Sequence, residues 1–142
     1  MRLFLDTSVL LAACASTTGA SHEIFRRAQA QGWVLIVSPY GIGEVLNNLP
    51  DLPPAATAQW ARLRADLLVL DDVLTADRPV IFAAGKDRPI LFSALAWADV
   101  LLTRDTGDFG DLLGGSFYEL LVLTPGAFLH RERSAGRLKN AE

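Results

Sequence analysis

The sequence predicts an α/β fold: a parallel sheet covered on both faces by helices. Short apolar runs recur along the chain, stretches of helical spacing separate them, and capping or breaking residues punctuate the boundaries. Strands that read as continuous apolar runs, rather than as alternating ones, belong to sheets buried on both sides.

Taken in order, Arg2–Leu5 is an apolar run that ends at an acid and reads as a buried strand. Thr7 or Ser8 is positioned to cap a helix over Val9–Cys14. After the turn Thr17-Thr18-Gly19, Ser21 is the expected N-cap of a second helix, with Glu23 in its first turn and Gly32 at its end. Trp33–Val37 is the second strand, and Ser38-Pro39 opens a helix with a capping side chain followed by proline at the first position. The loop Pro50–Pro54 precedes a helix over Ala55–Leu68, with Leu67–Leu70 as a third strand. Asp71–Asp77 is ambiguous. Pro89–Trp97 has helical spacing, Val100–Thr103 is the fourth strand and Leu120–Leu123 the fifth. Thr124-Pro125 caps a last helix that frays into a charged tail from Arg131 to Glu142. There is no internal repeat and no convincing boundary, so residues 1–142 read as one domain.

Composition narrows the function classes. Of 142 residues, 51% are apolar and 20% charged, which fits a globular protein rather than a disordered one. The net charge of −3 does not announce a nucleic-acid binder, although a nuclease can hold phosphate through metal ions instead of a basic face. Cys14 is the single cysteine, so no intrachain disulfide is available. Leu11-Ala12-Ala13-Cys14 superficially resembles a lipoprotein signal, but Asp6 interrupts the apolar region such a signal needs. No segment has the length of a membrane span. The expected location is the cytoplasm.

Four acids stand out by position. Asp6 sits just after the first strand and Asp105 just after the fourth, and parallel sheets place ligands at the carboxyl ends of their strands. Glu44 lies about one turn into the helix after the second strand, and Asp87 just ahead of the Pro89 helix. Gathered carboxylates repel one another unless a hard cation holds them, and Mg²⁺ takes oxygen ligands shared with phosphates. His22 and His130 stand alone, which argues against zinc. Each acid also has a simpler reading: helix cap for Asp6 and Asp87, solvated helix face for Glu44, turn residue for Asp105 and Asp108. Asp99, at the amino end of its strand, reads as structural, and Asp66, Asp71, Asp72, Asp77 and Asp111 as solvated. Trp33, Trp60 and Trp97 read as core or half-buried residues.

Leu5-Asp6-Thr7-Ser8-Val9, Ser38-Pro39 with Glu44-Val45-Leu46, and Lys86-Asp87-Arg88-Pro89-Ile90 together resemble a PIN domain. So does Ala98-Asp99-Val100-Leu101-Leu102-Thr103-Arg104-Asp105 with Asp108-Phe109, and the likeness runs from Met1 to about Leu123. The resemblance implies a three-layer α/β/α sandwich with a central parallel sheet of about five strands. It also implies a Mg²⁺- or Mn²⁺-dependent nuclease acting most often on RNA. On these positions Asp6, Glu44, Asp87 and Asp105 match the family's four acids, and Asp108 a frequent fifth that assists a second metal. Ser8 and Thr103 match hydroxyls that orient the acids, and Asp99 matches a structural position. Lys86, Arg88 and Arg104 flank the acids as candidate substrate contacts or as plain surface charge.

Small members of this kind are commonly VapC-like toxins of a type II toxin–antitoxin pair, homodimeric and held by an antitoxin. The apolar residues of the Ser21–Ala30 and Ala55–Leu68 helices fit a dimer or antitoxin surface, and fit a core equally well. Alternatives are a housekeeping RNA-processing factor, or a PIN-fold binding module without turnover. A phosphatase with an Asp nucleophile needs a second Asp two residues after the first, where this chain has Ser8.

Overall fold

The computed structural model describes residues 1–73, 88–107 and 109–138, and of Arg88 the backbone alone. Lys86, Asp87 and Asp108 therefore lie outside the described residues, as does the side chain of Arg88. The elements run β1 (Arg2–Leu5), α1 (Thr7–Ala15), α2 (Ala20–Gln31), β2 (Val34–Val37), α3 (Pro39–Asn48), α4 (Ala55–Arg64) and β3 (Leu68–Val69). They continue with α5 (Arg88–Trp97), β4 (Val100–Leu102), β5 (Ser116–Phe117), β6 (Leu120–Leu123) and α6 (Pro125–Ser134).

The strands form one sheet in the order β3-β2-β1-β4-β6-β5, parallel throughout except for the β5–β6 pair. β1 lies between β2 and β4, with Leu3 opposite both Leu35 and Val100. The chain builds outward from β1 on one side, then returns to place β4 on the other, where β6 lies between β4 and the marginal β5. The strand order thus reverses between β1 and β4, and such a reversal opens a crevice at the carboxyl edge.

Alternation along the strands explains the two faces. Leu3 and Leu5 of β1 join Leu35, Val37, Val100 and Leu102 in a core closed by α1, α2, α4 and α6. Phe4, Ile36, Leu101 and Val122 point the other way, onto Ile90, Leu91 and Ala94 of α5 and onto Phe109. Side chains two apart share a face, so a single strand feeds both layers. The predicted α/β class with helices on both faces is what the structure has.

Several boundaries differ from expectation, each for a local reason. The first helix begins at Thr7 with Asp6 at the N-cap position, because Thr7 and Ser8 spend their hydroxyls elsewhere. The second begins at Ala20 with Gly19 as N-cap, so Ser21 lies inside the helix rather than capping it. Ser38 holds the N-cap position of α3, but its side chain makes no capping bond and, among the described residues, its buried hydroxyl has no partner. α4 stops at Arg64, and the last helix continues to Ser134 instead of fraying from Arg131. Glu132 is buried there, and Arg137 folds back onto its carboxylate with a 2.6 Å contact. The apolar residues of α2 and α4, including Ile24, Phe25, Trp60 and Leu63, are core, and Trp33 is core as well. Cys14 is buried in the same cluster, and burial pushes its thiol up to about 11. Among the described residues no helix is long and apolar enough to cross a membrane.

Among the described residues the sheet has six strands rather than about five. The extra one, β5, is joined to β6 by Tyr118 and Glu119, with Phe117 opposite Leu120. Both turn residues have left-handed φ, 49° and 71°, a two-residue hairpin geometry that favours Asn-Gly. Left-handed backbone costs a residue with a Cβ roughly 1–2 kcal/mol, which glycine avoids. Glu119→Gly should therefore stabilise the protein by about 1 kcal/mol. Urea denaturation of the two proteins checks this, and a lower midpoint in the variant would refute the strain argument.

Candidate active site

The carboxyl ends of β1 and β4 meet in register, Leu5 opposite Leu102, and the Asp6 amide extends the pairing by bonding the Leu102 carbonyl at 3.0 Å. This sets Asp6 at the reversal point of the sheet. The residue is 4% exposed, so its carboxylate has lost nearly all its water. It makes no side-chain cap to α1. Instead, Oδ2 accepts the Ser8 hydroxyl at 2.6 Å and the Thr103 hydroxyl at 2.9 Å.

Each of these hydroxyls also accepts a backbone amide. Ser8 Oγ receives the Arg104 amide at 2.9 Å, and Thr103 Oγ1 receives the Asp105 amide at 3.0 Å. The loop leaving β4 is thereby pinned to the first turn of α1. Within that loop the Asp105 carboxylate accepts the Gly107 amide at 3.1 Å, a local turn that a short acidic side chain makes readily. Gly110 closes the same loop tightly: a Cβ there would sit 2.3 Å from the Thr106 carbonyl oxygen.

Glu44 is held beside this network by a residue not singled out as part of the site in the sequence. Thr7 Oγ1 donates to Glu44 Oε1 at 2.9 Å, across 37 positions of sequence. Thr7 precedes Ser8 in the first turn of α1, so one turn of helix orients two acids. Position alone marked Thr7 as a helix cap. Its partner lies on another helix, which local pattern cannot indicate.

The structure therefore places Asp6 and Asp105 on the carboxyl edge, with Thr103 bonding the Asp6 carboxylate and the Asp105 amide and Glu44 meeting the same turn of α1 through Thr7. It does not draw the acids themselves together: among the described residues no three of the Asp, Glu, His and Cys side chains could hold a metal ion. The donors present are carboxylate and hydroxyl oxygens, the chemistry that suits Mg²⁺ or Mn²⁺. Arg104 is exposed beside them. Asp99 is structural, as expected: its carboxylate accepts the Arg2 amide at 2.8 Å and its own amide bonds the Arg2 carbonyl, stitching β1 to the start of β4.

No family model matches the chain, and no curated protein matches it in sequence. Among solved structures, a chain of VapBC2 from Rickettsia felis, determined bound to a DNA fragment from their promoter, is similar to it. The TM-score is 0.60 at 13% identity, over 86% of this chain and 97% of that one. The fold is of the PIN-like kind. At this identity the likeness concerns architecture, here a mostly parallel sheet flanked by helices. In this PIN-like frame Asp6 sits at the centre of the edge.

Burial holds the Asp6 carboxyl above its ordinary value of 3.8, although the Ser8 and Thr103 hydroxyls and the nearby Thr7 and Ser8 amides pull the other way. The unfolded chain releases this proton at lower pH than the folded one. As pH rises from 3.8 through the folded value, the folded state retains a proton the unfolded state has lost, and the group's contribution to stability falls. Asp6→Asn keeps an oxygen for both hydroxyls and carries no charge. In EDTA it should melt at a higher temperature than the wild type at neutral pH, with the gap closing under acid conditions. Melts across that pH range decide it, and equal or lower stability at neutral pH would contradict the account.

Proposed function

We propose that the chain is a Mg²⁺- or Mn²⁺-dependent ribonuclease, the VapC-like toxin of a type II toxin–antitoxin pair. The observation that carries this reading is the buried Asp6 carboxylate, held by Ser8 and Thr103 where the strand order reverses. Thr7, the neighbour of Ser8, donates to Glu44, and Thr103 accepts the Asp105 amide. The sequence resemblance and the fold likeness to a VapBC2 chain support it.

Asp6 would be the direct ligand, and Glu44 and Asp105, whose carboxylates do not converge with it among the described residues, would contribute through water, with Asp87 and Asp108 as further acids from outside the described residues. When bound, the metal supplies charge neutralisation at the phosphate and a more acidic water. The protein's own contribution is orientation. Ser8 and Thr103 fix the Asp6 carboxylate, Thr7 fixes Glu44, and the Gly107 amide fixes Asp105. An unpaired buried carboxylate is costly, so the fold keeps Asp6 in a state that a cation relieves. Hydrolysis joins a water oxygen to phosphorus and breaks the ester P–O bond, the proton passing to the departing oxygen. Lys86, Arg88 and Arg104 are candidate contacts for the RNA backbone.

In this reading the partner is an antitoxin that covers the acidic edge, the active form is a homodimer, and the protein works in the cytoplasm. In the binding-module reading the same surface docks a partner without turnover.

Incubation of the purified protein with single-stranded RNA and Mn²⁺, with an EDTA control, separates the two. Cleavage should require the metal and be abolished in Asp6→Asn. Thr103→Val, which removes a hydroxyl that orients a ligand, should cost about 10–100-fold. Intact RNA under all conditions, or undiminished cleavage by Asp6→Asn, would sink the nuclease. Induced expression that arrests growth with wild type but not with Asp6→Asn would support the toxin role, and growth unaffected by the active protein would count against it.

A further inference from the structure

Beside the acids lies a cleft that they do not explain. It has a volume of about 410 Å³ and is walled by the end of α1, the start of α2 and the start of α6. Among the described residues its lining contains no carboxylate. Arg104 contributes its cation, is exposed, and among the described residues has no side-chain hydrogen bond or ion pair.

Two helix N-termini converge there. α2 has Gly19 as N-cap without a side-chain cap, and Glu23 is the first residue of the helix whose amide finds a carbonyl, that of Gly19. The amides of Ala20 and Ser21 are thus without a backbone partner among the described residues. In α6, Thr124 takes the Ala127 and Phe128 amides and Pro125 has none to offer, which leaves the Gly126 amide unclaimed. A further feature is independent of the helix ends. Ser21 is only 4% exposed, lines the cleft, and its hydroxyl has no hydrogen-bond partner among the described residues. A hydroxyl on a largely buried residue that opens only onto the cleft, beside unclaimed amides and a cation, suits an anion.

We infer that this cleft is a phosphate subsite that takes an RNA backbone phosphate flanking the scissile one. The assignment of RNA as its source rests on the nuclease reading, whereas the anion chemistry does not. Arg104 stands between Thr103 and Asp105, and its amide is fixed to Ser8, so a phosphate on its side chain lies next to the acids. The small side chains of Ala12 and Ala15 leave room for the attached sugar.

The test uses ¹⁵N-labelled protein in EDTA titrated with inorganic phosphate, then a fluorescent single-stranded RNA followed by anisotropy in the same buffer. The amide signals of Ala20, Ser21 and Gly126 should shift and saturate. Arg104→Gln should weaken both phosphate and RNA by about tenfold, the loss of one charge-assisted contact. Ala20→Asp should do the same without lowering the melting temperature, since an acid in the first turn favours the helix while repelling an anion. Asp6→Asn should leave the phosphate-induced shifts in place. Absence of saturable shifts, or shifts unchanged in both variants, overturns the subsite. Phosphate binding with RNA affinity unaltered in both variants overturns its assignment to RNA. Shifts without any RNA cleavage by the Mn²⁺-loaded protein refute the nuclease alone, and cleavage without shifts refutes the subsite alone.

Discussion

A carboxylate withdrawn from water at the end of a central strand must be solvated by the protein, and in this molecule neutral hydroxyls do it. Among the described residues Asp6 has no ion pair, and its compensation comes from Ser8 and Thr103. Both hydroxyls donate to the acid and accept an amide of the loop leaving β4. The groups that stabilise the charge are therefore the same groups that shape the loop carrying Arg104 and Asp105. Removing either hydroxyl would therefore disturb charge solvation and loop geometry together, and mutual polarisation along such chains strengthens each link.

This coupling ties the site to the completed fold. Thr103 and Asp6 are 97 positions apart, and Thr7 and Glu44 are 37 apart. The hydroxyls reach their acceptors only after β1 has paired with β4 and α3 has packed against α1. Non-local parallel pairing is slow to form. A partly folded chain would hold the acids without their orientation.

The strand positions were legible because each apolar run is short and ends at a polar residue. Asp6 and Asp105 were legible for the same reason, since a strand that ends in an acid places it on the sheet edge. The roles of Ser8 and Thr103 came from resemblance to a known pattern, and the hydrogen bonds now give the physical content. Thr7 was misread as a cap because its acceptor, Glu44, is remote in sequence. Ser21 was misread in the same way: capping statistics favour serine, but the chain turns into the helix earlier, at Gly19. β5 was missed because two residues carry no periodicity and Tyr118-Glu119 lacks the glycine that announces a hairpin. The end of α6 was drawn short because a charged sequence looks solvated, whereas Glu132 is buried and matched by Arg137.

The six-strand order begins with β3 and ends with β5, and each is two residues long. A sheet whose margins are this short offers an incoming strand almost no row of free amides and carbonyls to pair with. The long strands, with their strongly apolar sequences, are all interior. Association with another copy or with a partner is thus directed away from strand addition and toward side-chain surfaces on the helices. The same arrangement guards a chain that is half apolar by composition against growth into fibres.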